Sequence, residues 1–197
     1  MMMRHATEGV NDVHSSENTQ RLERLLAGDH AELDELLRAL DDALAGGDAA
    51  AAFARLDLFW ARLAMHIRAE NLHLFPTILA ALADESEKFE RLTSALSEAR
   101  ANIAQLRVDH DFFMHELARA VKVLRDLIRT PGDECALNVV RDVSQSISVL
   151  AARLAAHNRL EEERVYRLPA ILLGAAEQAE LAANVERELG KLPPRFS

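Results

Sequence analysis

Apolar residues recur along this chain at three- and four-residue steps, the spacing of helices that bury one face. Between Glu17 and Ala45 the stripe is Leu22, Leu26, Leu33, Leu37, Leu40 and Leu44, with His30 falling on it between Leu26 and Leu33. Gly46-Gly47-Asp48 then predicts a stop, and Asp48 is placed to cap the next helix. A second helix is predicted from about Ala49 to Leu82, along Leu56, Phe59, Leu63, His66, Glu70 and His73 or Leu74, with a kink or boundary just before Pro76. Ala83-Asp84-Glu85-Ser86 reads as the next loop. The third helix, from about Glu87 to Arg129, carries Leu92, Leu96, Ile103, Leu106, His110, Phe113, Leu117, Val121, Leu124 and Ile128, and Thr130-Pro131-Gly132-Asp133 ends it. The fourth, from about Glu134 to Leu168, carries Val143, Ile147, Leu150, Leu154, His157, Glu161, Val165 and Leu168, with Pro169 and Gly174 beyond. The pattern predicts an all-α protein, an up-down-up-down four-helix bundle over residues 17–170. A short extra helix at about Ala175–Leu189 and a frayed tail make up residues 171–197. Residues 1–16 are polar and aperiodic and read as a disordered N-terminal arm; His5 and His14 lie there as solvated residues.

One phrase occurs twice on these stripes. Residues 62–70 read Arg-Leu-Ala-Met-His-Ile-Arg-Ala-Glu and residues 153–161 read Arg-Leu-Ala-Ala-His-Asn-Arg-Leu-Glu. Arg, Leu and Ala are common in the chain, so the informative matches are His66 with Glu70 and His157 with Glu161. Four residues apart on a helix, each pair sits on one face, one above the other. Such a pair offers one metal ion an imidazole and a carboxylate.

The loops allow a test of level. In an antiparallel pair, residues equidistant from the turn lie at the same height. The midpoints of His30 and His66, of His66 and His110, and of His110 and His157 fall at or beside the three predicted loops. All four imidazoles therefore belong to one layer of the core, to within about a turn of helix, roughly 5 Å. Glu70 and Glu161 face the same interior. Four imidazoles and two carboxylates in an apolar layer are costly unless something binds them, and a cation removes that cost. Six such ligands exceed what one tetrahedral zinc needs and suit two ions bridged by the carboxylates.

Composition narrows the class. Hydrophobic content of 49% with 28% charged residues, seven Gly and five Pro is that of a helical globular protein. A net charge of −9 argues against a nucleic-acid partner. No apolar run reaches the roughly 20 residues that span a bilayer, and the start of the chain has no secretory h-region. A cytoplasmic protein is therefore expected. The single cysteine, Cys135, excludes an internal disulfide framework and a thiolate zinc cluster. Imidazole and carboxylate without thiolate fit Fe or Mn, with Zn as a substitute. A ferritin-like arrangement needs Glu-x-x-His twice; Glu70 and His73 supply one, but Arg164 stands where the second His should be.

With Asp29-His30 and Asp109-His110 on the first and third helices, His-x-x-x-Glu on the second and fourth, and Leu74-Phe75-Pro76 after the first of these, the chain resembles the hemerythrin-like, or HHE cation-binding, family over about residues 20–170. Val165-Tyr166-Arg167 is a partial echo of that tail, with arginine in place of proline. The resemblance implies a non-haem di-iron centre, two Fe ions held by His30, His66, Glu70, His110, His157 and Glu161. The oxygen carriers of that family add a second His four residues after the third-helix one. Here Met114 stands there, and His115 is rotated about 100° further round, onto the surface. Reversible oxygen carriage is thereby put in doubt, and one iron keeps an extra open position.

Two further residues are candidates for supporting the site. His73 lies two turns beyond His66 and is either a second-shell group or gate, or a polar residue near the bundle end. Tyr166, five residues after Glu161, either approaches the site or serves packing. Arg68 and Arg159 recur off the stripe, as solvated or acid-pairing groups. The function expected first is a protein that binds or reacts with O2, peroxide or NO as sensor or scavenger. Iron storage, iron donation for iron–sulfur cluster repair, or a metal-stabilised protein-interaction module stand beside it. A sensor would signal through a separate protein partner, and a homodimer is the other association considered.

Overall fold

A computed structural model describes residues 8–88, 93–130 and 136–196. Among these residues there is helix and no strand. The long helices are α1 (Glu8–Ala45), α2 (Ala49–Ala69), α4 (Thr93–Arg129) and α5 (Ala136–Leu160), with α3 (Phe75–Lys88) prolonging α2. α1 packs on α2 and α5, and α4 packs on α2 and α5, which closes a four-helix bundle. The turn between α1 and α2 forms as its residues dictate. Gly47 takes the left-handed conformation, φ +70°, open to glycine at little cost, and the Asp48 side chain accepts from the Ala51 N–H at 2.9 Å.

The leucine stripe of α1 is buried as its period requires, and so are the stripe positions of α2, α4 and α5 with one exception. Ile128 is 40% exposed, because it lies in the last turn of α4 where the bundle ends. Leu92 lies outside the described residues. The core is in two parts. One, at the α1–α2 turn, gathers Leu33, Leu40, Phe59, Phe113, Leu117 and Leu150. The other gathers Leu22, Leu26, Phe75, Ile78, Leu106 and Tyr166 at the opposite end.

Three boundaries differ from the sequence expectation. α1 begins at Glu8, so residues 8–16 of the expected arm are helical; after Gly9 nothing there breaks a helix, and a helix extends at little cost once nucleated. His5 lies outside the described residues, and the side chain of His14 is not described. α3 runs through Ala83–Ser86 to Lys88, since Glu and Lys there favour helix and no Gly or Pro intervenes. The end of the chain is not frayed: Pro194–Phe196 form a 3-10 turn, and Arg195 grips Asp57 of α2 through two bonds of 3.0 and 3.1 Å.

The kink or boundary expected just before Pro76 is present: α3 begins at Phe75, and a wide turn leads into it. Residues Glu70–Leu74 form a π-turn, and Glu161–Val165 form a second one at the matching place after α5. The stripes explain both. His66, Glu70, Leu74, Ile78 and Leu82 advance by fours, and each such step drifts about 40° on a regular helix. One wider turn cancels the drift and keeps the stripe inward. It also seats each proline in the first turn of a new helix, where its missing N–H costs nothing: Pro76 in α3 and Pro169 in α6 (Leu168–Leu172).

Helix α7 (Ala175–Leu189) packs on α1, α2 and the first π-turn through Leu181, Ala182 and Val185. It is pinned by Glu188, which is 2% exposed and accepts from Arg68 Nε at 2.8 Å and Lys191 Nζ at 2.7 Å. The hydrogen bond from Lys191, against burial and with Arg68, holds the Glu188 carboxyl below its usual range. A carboxylate lowered in this way stabilises the fold above its unfolded-state value and loses that contribution as pH falls through the folded one. Glu188→Gln should therefore cost about 1 kcal/mol at pH 7, a modest figure because both cations are half exposed. In urea unfolding the gap between the two proteins should close as pH drops below about 4.3.

Candidate metal centre

Between the two apolar clusters lies one polar layer. α1 supplies His30, α2 His66, α4 His110 and α5 His157, and Glu70 and Glu161 are the first residues of the two π-turns. All six are buried, none more than 4% exposed. The structure thus brings together the six residues that the sequence places at one level, and it does so as two halves. In one, His30 Nε2 lies 3.1 Å from His66 Nε2. In the other, the His110 and His157 rings are 4.9 Å apart between centroids.

Each carboxylate divides its two oxygens between the halves. Glu70 Oε1 lies 3.5 Å from His66 Nε2, and its Oε2 lies 3.2 Å from His110 Nε2. Glu161 turns Oε2 toward His30 Nε2 at 3.4 Å and Oε1 toward His157 Nε2 at 3.0 Å. One donor atom from each of Glu70, His110, His157 and Glu161 falls within 4.8 Å of the others, as do donors of His30, His66 and Glu161. Each carboxylate thus presents one oxygen to either half of the layer.

The protein's own hydrogen bonds leave this layer unfinished. Glu70 Oε2, Glu161 Oε1 and both ring nitrogens of His110 are buried with no hydrogen-bond partner. Several lie within 4 Å of one another without the alignment of a hydrogen bond. Buried acceptors and imidazole lone pairs left this way cost roughly 1–3 kcal/mol each, and a cation placed among them satisfies several at once. The donor set, nitrogen and oxygen without sulfur, fits such an ion. Neighbouring groups offset the effect of burial at two of these residues. Burial opposes the charged form of His66, but Glu70 and then Asp29 outweigh it and hold the imidazole well above its usual value. Burial likewise opposes the Glu70 charge, and His66 and His110 overcome it, holding the carboxyl well below the usual range.

Outside the layer each histidine but one is held by its other nitrogen. Asp29 Oδ2 is 2.9 Å from His66 Nδ1, and Asp29 Oδ1 accepts from Arg62 at 2.6 Å. The second repeat copies this: Asp109 Oδ2 is 3.4 Å from His157 Nδ1, and Asp109 Oδ1 accepts twice from Arg153, at 2.6 and 2.9 Å. Glu162 Oε1 lies 2.8 Å from His30 Nδ1. Its counterpart after Glu70 is Asn71, whose Oδ1 is buried without a partner, as is His110 Nδ1. Sequence reasoning missed Asp29, Arg62, Asp109 and Arg153 as parts of the site. Yet the signal was present, as an Asp before each lone His and an Arg four residues before each paired one. Because such partners fix the tautomer and aim of a ligand, Asp29→Ala should weaken metal binding about 10- to 100-fold with the fold intact, read by competition with a chelator.

The two supporting candidates separate. Tyr166 enters the layer: its hydroxyl donates to Glu70 Oε1 at 2.7 Å and lies 3.1 Å from Glu161 Oε2. Burial, then the Glu161 and Glu70 charges, push its phenol well above the usual value. His73 does not enter. The π-turn gives the stripe to Leu74 and turns His73 toward α7, with Nε2 3.7 Å from Glu188. His115 is exposed and Met114 packs against the core. Arg68 pairs with an acid and Arg159 is exposed.

No helix among the described residues is long and apolar enough to cross a membrane. Comparison with curated proteins and with solved structures finds no match. The family model described as the hemerythrin HHE cation-binding domain matches residues 21–168, a stretch that contains all six layer residues. The match and the buried histidine–glutamate cluster together indicate metal binding. On this match, which covers most of its length, the chain belongs to the hemerythrin HHE cation-binding domain family.

Proposed function

We propose that this is a non-haem di-iron protein that binds or reacts with O2, peroxide or NO, as a sensor or scavenger. The observation that carries the reading is the division of both carboxylates between two histidine pairs. His30 and His66 would hold one iron and His110 and His157 the other, with Glu70 and Glu161 common to both. When bound, two such irons supply redox chemistry and coordination positions for a small molecule. The remaining work belongs to the chain. Asp29 and Asp109, clamped by Arg62 and Arg153, aim two of the imidazoles, and the apolar clusters on either side exclude bulk water and admit only small ligands. The same burial disfavours iron storage or donation, which need ready exchange, since none of the six residues is more than 4% exposed.

The test is to purify the protein from iron-supplemented cells, count iron per chain, and record visible spectra anaerobically, in air and with peroxide. Two irons per chain with spectra that respond to oxidant or NO support the reading. Iron lost readily to a chelator would instead favour storage or donation. A protein that takes up no iron, and is equally stable without it, leaves only a bundle that docks partners.

A further inference from the structure

The internal repeat makes Phe75 and Tyr166 equivalent. Each lies five residues after a shared carboxylate, each is the first residue past a π-turn, and each backbone N–H donates to that glutamate's carbonyl. Each ring also lies over the lone histidine of the other repeat. Phe75 stacks on His110 at 5.7 Å and 10°, and Tyr166 on His30 at 5.7 Å and 29°. One ring ends in hydrogen and the other in a hydroxyl. That hydroxyl reaches every donor of its half: Glu70 Oε1 at 2.7 Å, Glu161 Oε2 at 3.1 Å, His30 Nε2 at 3.2 Å and His66 Nε2 at 3.5 Å. An oxygen central to four ligand atoms is placed as a ligand itself. Among the described residues the His110–His157 half has no such group; Phe75 offers none, and Met114, one turn beyond His110, packs half-buried against the apolar core.

We propose that Tyr166 Oη is a fifth protein donor to the iron of the His30–His66 half, so that the two irons are unequal and an exogenous ligand is taken by the His110–His157 half, beneath Phe75. This rests on the di-iron reading. The alternative role for the hydroxyl is a hydrogen bond to the carboxylates alone, and spectroscopy separates the two. Tyr166 is the single tyrosine of the chain, so any tyrosinate signal from the ferric protein belongs to it.

The experiment loads the full chain with ferric iron and records iron content, visible absorption and resonance Raman spectra, with azide as the probe of an open position. The expected result is release of the phenolic proton to the buffer as the ferric ion binds, with a tyrosinate-to-iron charge-transfer band and enhanced phenolate modes. Tyr166→Phe should lose both spectral signals in protein that still binds iron. Phe75→Tyr should place a second phenol over the other half, add a second set of phenolate modes and abolish azide binding. Two irons in the unaltered protein without any tyrosinate signal would overturn the role of Tyr166 alone. Azide binding that survives in Phe75→Tyr, once its second phenolate is seen, would overturn the assignment of the open half. A chain that takes up no iron would overturn the centre itself and this proposal with it.

Discussion

If the proposed di-iron reading holds, Glu161→Ala should release both metal ions rather than one. Its Oε1 is 3.0 Å from His157 Nε2 and its Oε2 is 3.4 Å from His30 Nε2, so the substitution removes a donor from each half of the layer. What is left at either end is two imidazoles and one oxygen of Glu70 from the six-residue layer. Loss of an outer partner such as Asp29 weakens a site roughly 10- to 100-fold, and loss of a shared ligand should exceed that at both ions. Metal per chain, counted after gel filtration, is then expected to fall to background. His30→Ala is the contrasting case, because it leaves the Glu70, His110, His157 and Glu161 group whole, and one ion should remain. His115→Ala, at an exposed position one residue past Met114, should change neither count. Retention of a tight ion by Glu161→Ala would show that the two halves do not share this carboxylate.

The metal-free fold should survive that substitution, and this makes the count interpretable. Glu161 Oε1 has no hydrogen-bond partner of its own, and removing a buried charge that is incompletely paired costs less than removing one partner of a well-formed pair. The apolar clusters on either side of the layer do not depend on it. Circular dichroism of the apo protein should therefore be unchanged.

What could be read from residues alone follows from which interactions are periodic. The leucine stripe of α1 and the Gly46-Gly47-Asp48 turn set both the inward face and the height of His30 against His66, and the contact at 3.1 Å follows. The aspartate–arginine clamps are not periodic. Asp29 and Arg62 lie on different helices, each type is common on helix surfaces, and only the bundle shows that they meet behind His66. The boundary before Pro76 was legible in the proline itself, and α3 does begin at Phe75; the π-turns that precede it and Pro169 were written only in the four-residue steps around Glu70 and Glu161. The apolar face of α7, with Leu181 and Val185, is legible as a packing face, but the Glu188–Arg68 pair that pins it spans 120 residues, and no local signal carries that. Tyr166 was legible as a neighbour of the site. Its place at the centre of one half depended on the wide turn that precedes it.

Stripping the metal from loaded protein should lower its melting temperature by roughly 10 °C for each ion lost, without unfolding it at room temperature. An ion that binds only the folded state stabilises it by about 4 kcal/mol when its free concentration is a thousand times the dissociation constant. For a chain of this size each kcal/mol shifts the melting temperature by roughly 2–4 °C. The metal-free protein stays folded because part of the layer satisfies itself: Tyr166 donates to Glu70, and His30 and His66 pair across the helices. It is weaker because Glu70 Oε2, Glu161 Oε1 and both nitrogens of His110 find no partner there. The deficit is thus concentrated in the His110–His157 half. That distribution gives the experiment a second reading, since amide exchange in α4 and α5 around His110 and His157 should slow more on metal loading than exchange around His30. Equal melting temperatures with and without two equivalents of iron, at concentrations far above the protein's, would mean that these atoms are not what a metal ion satisfies.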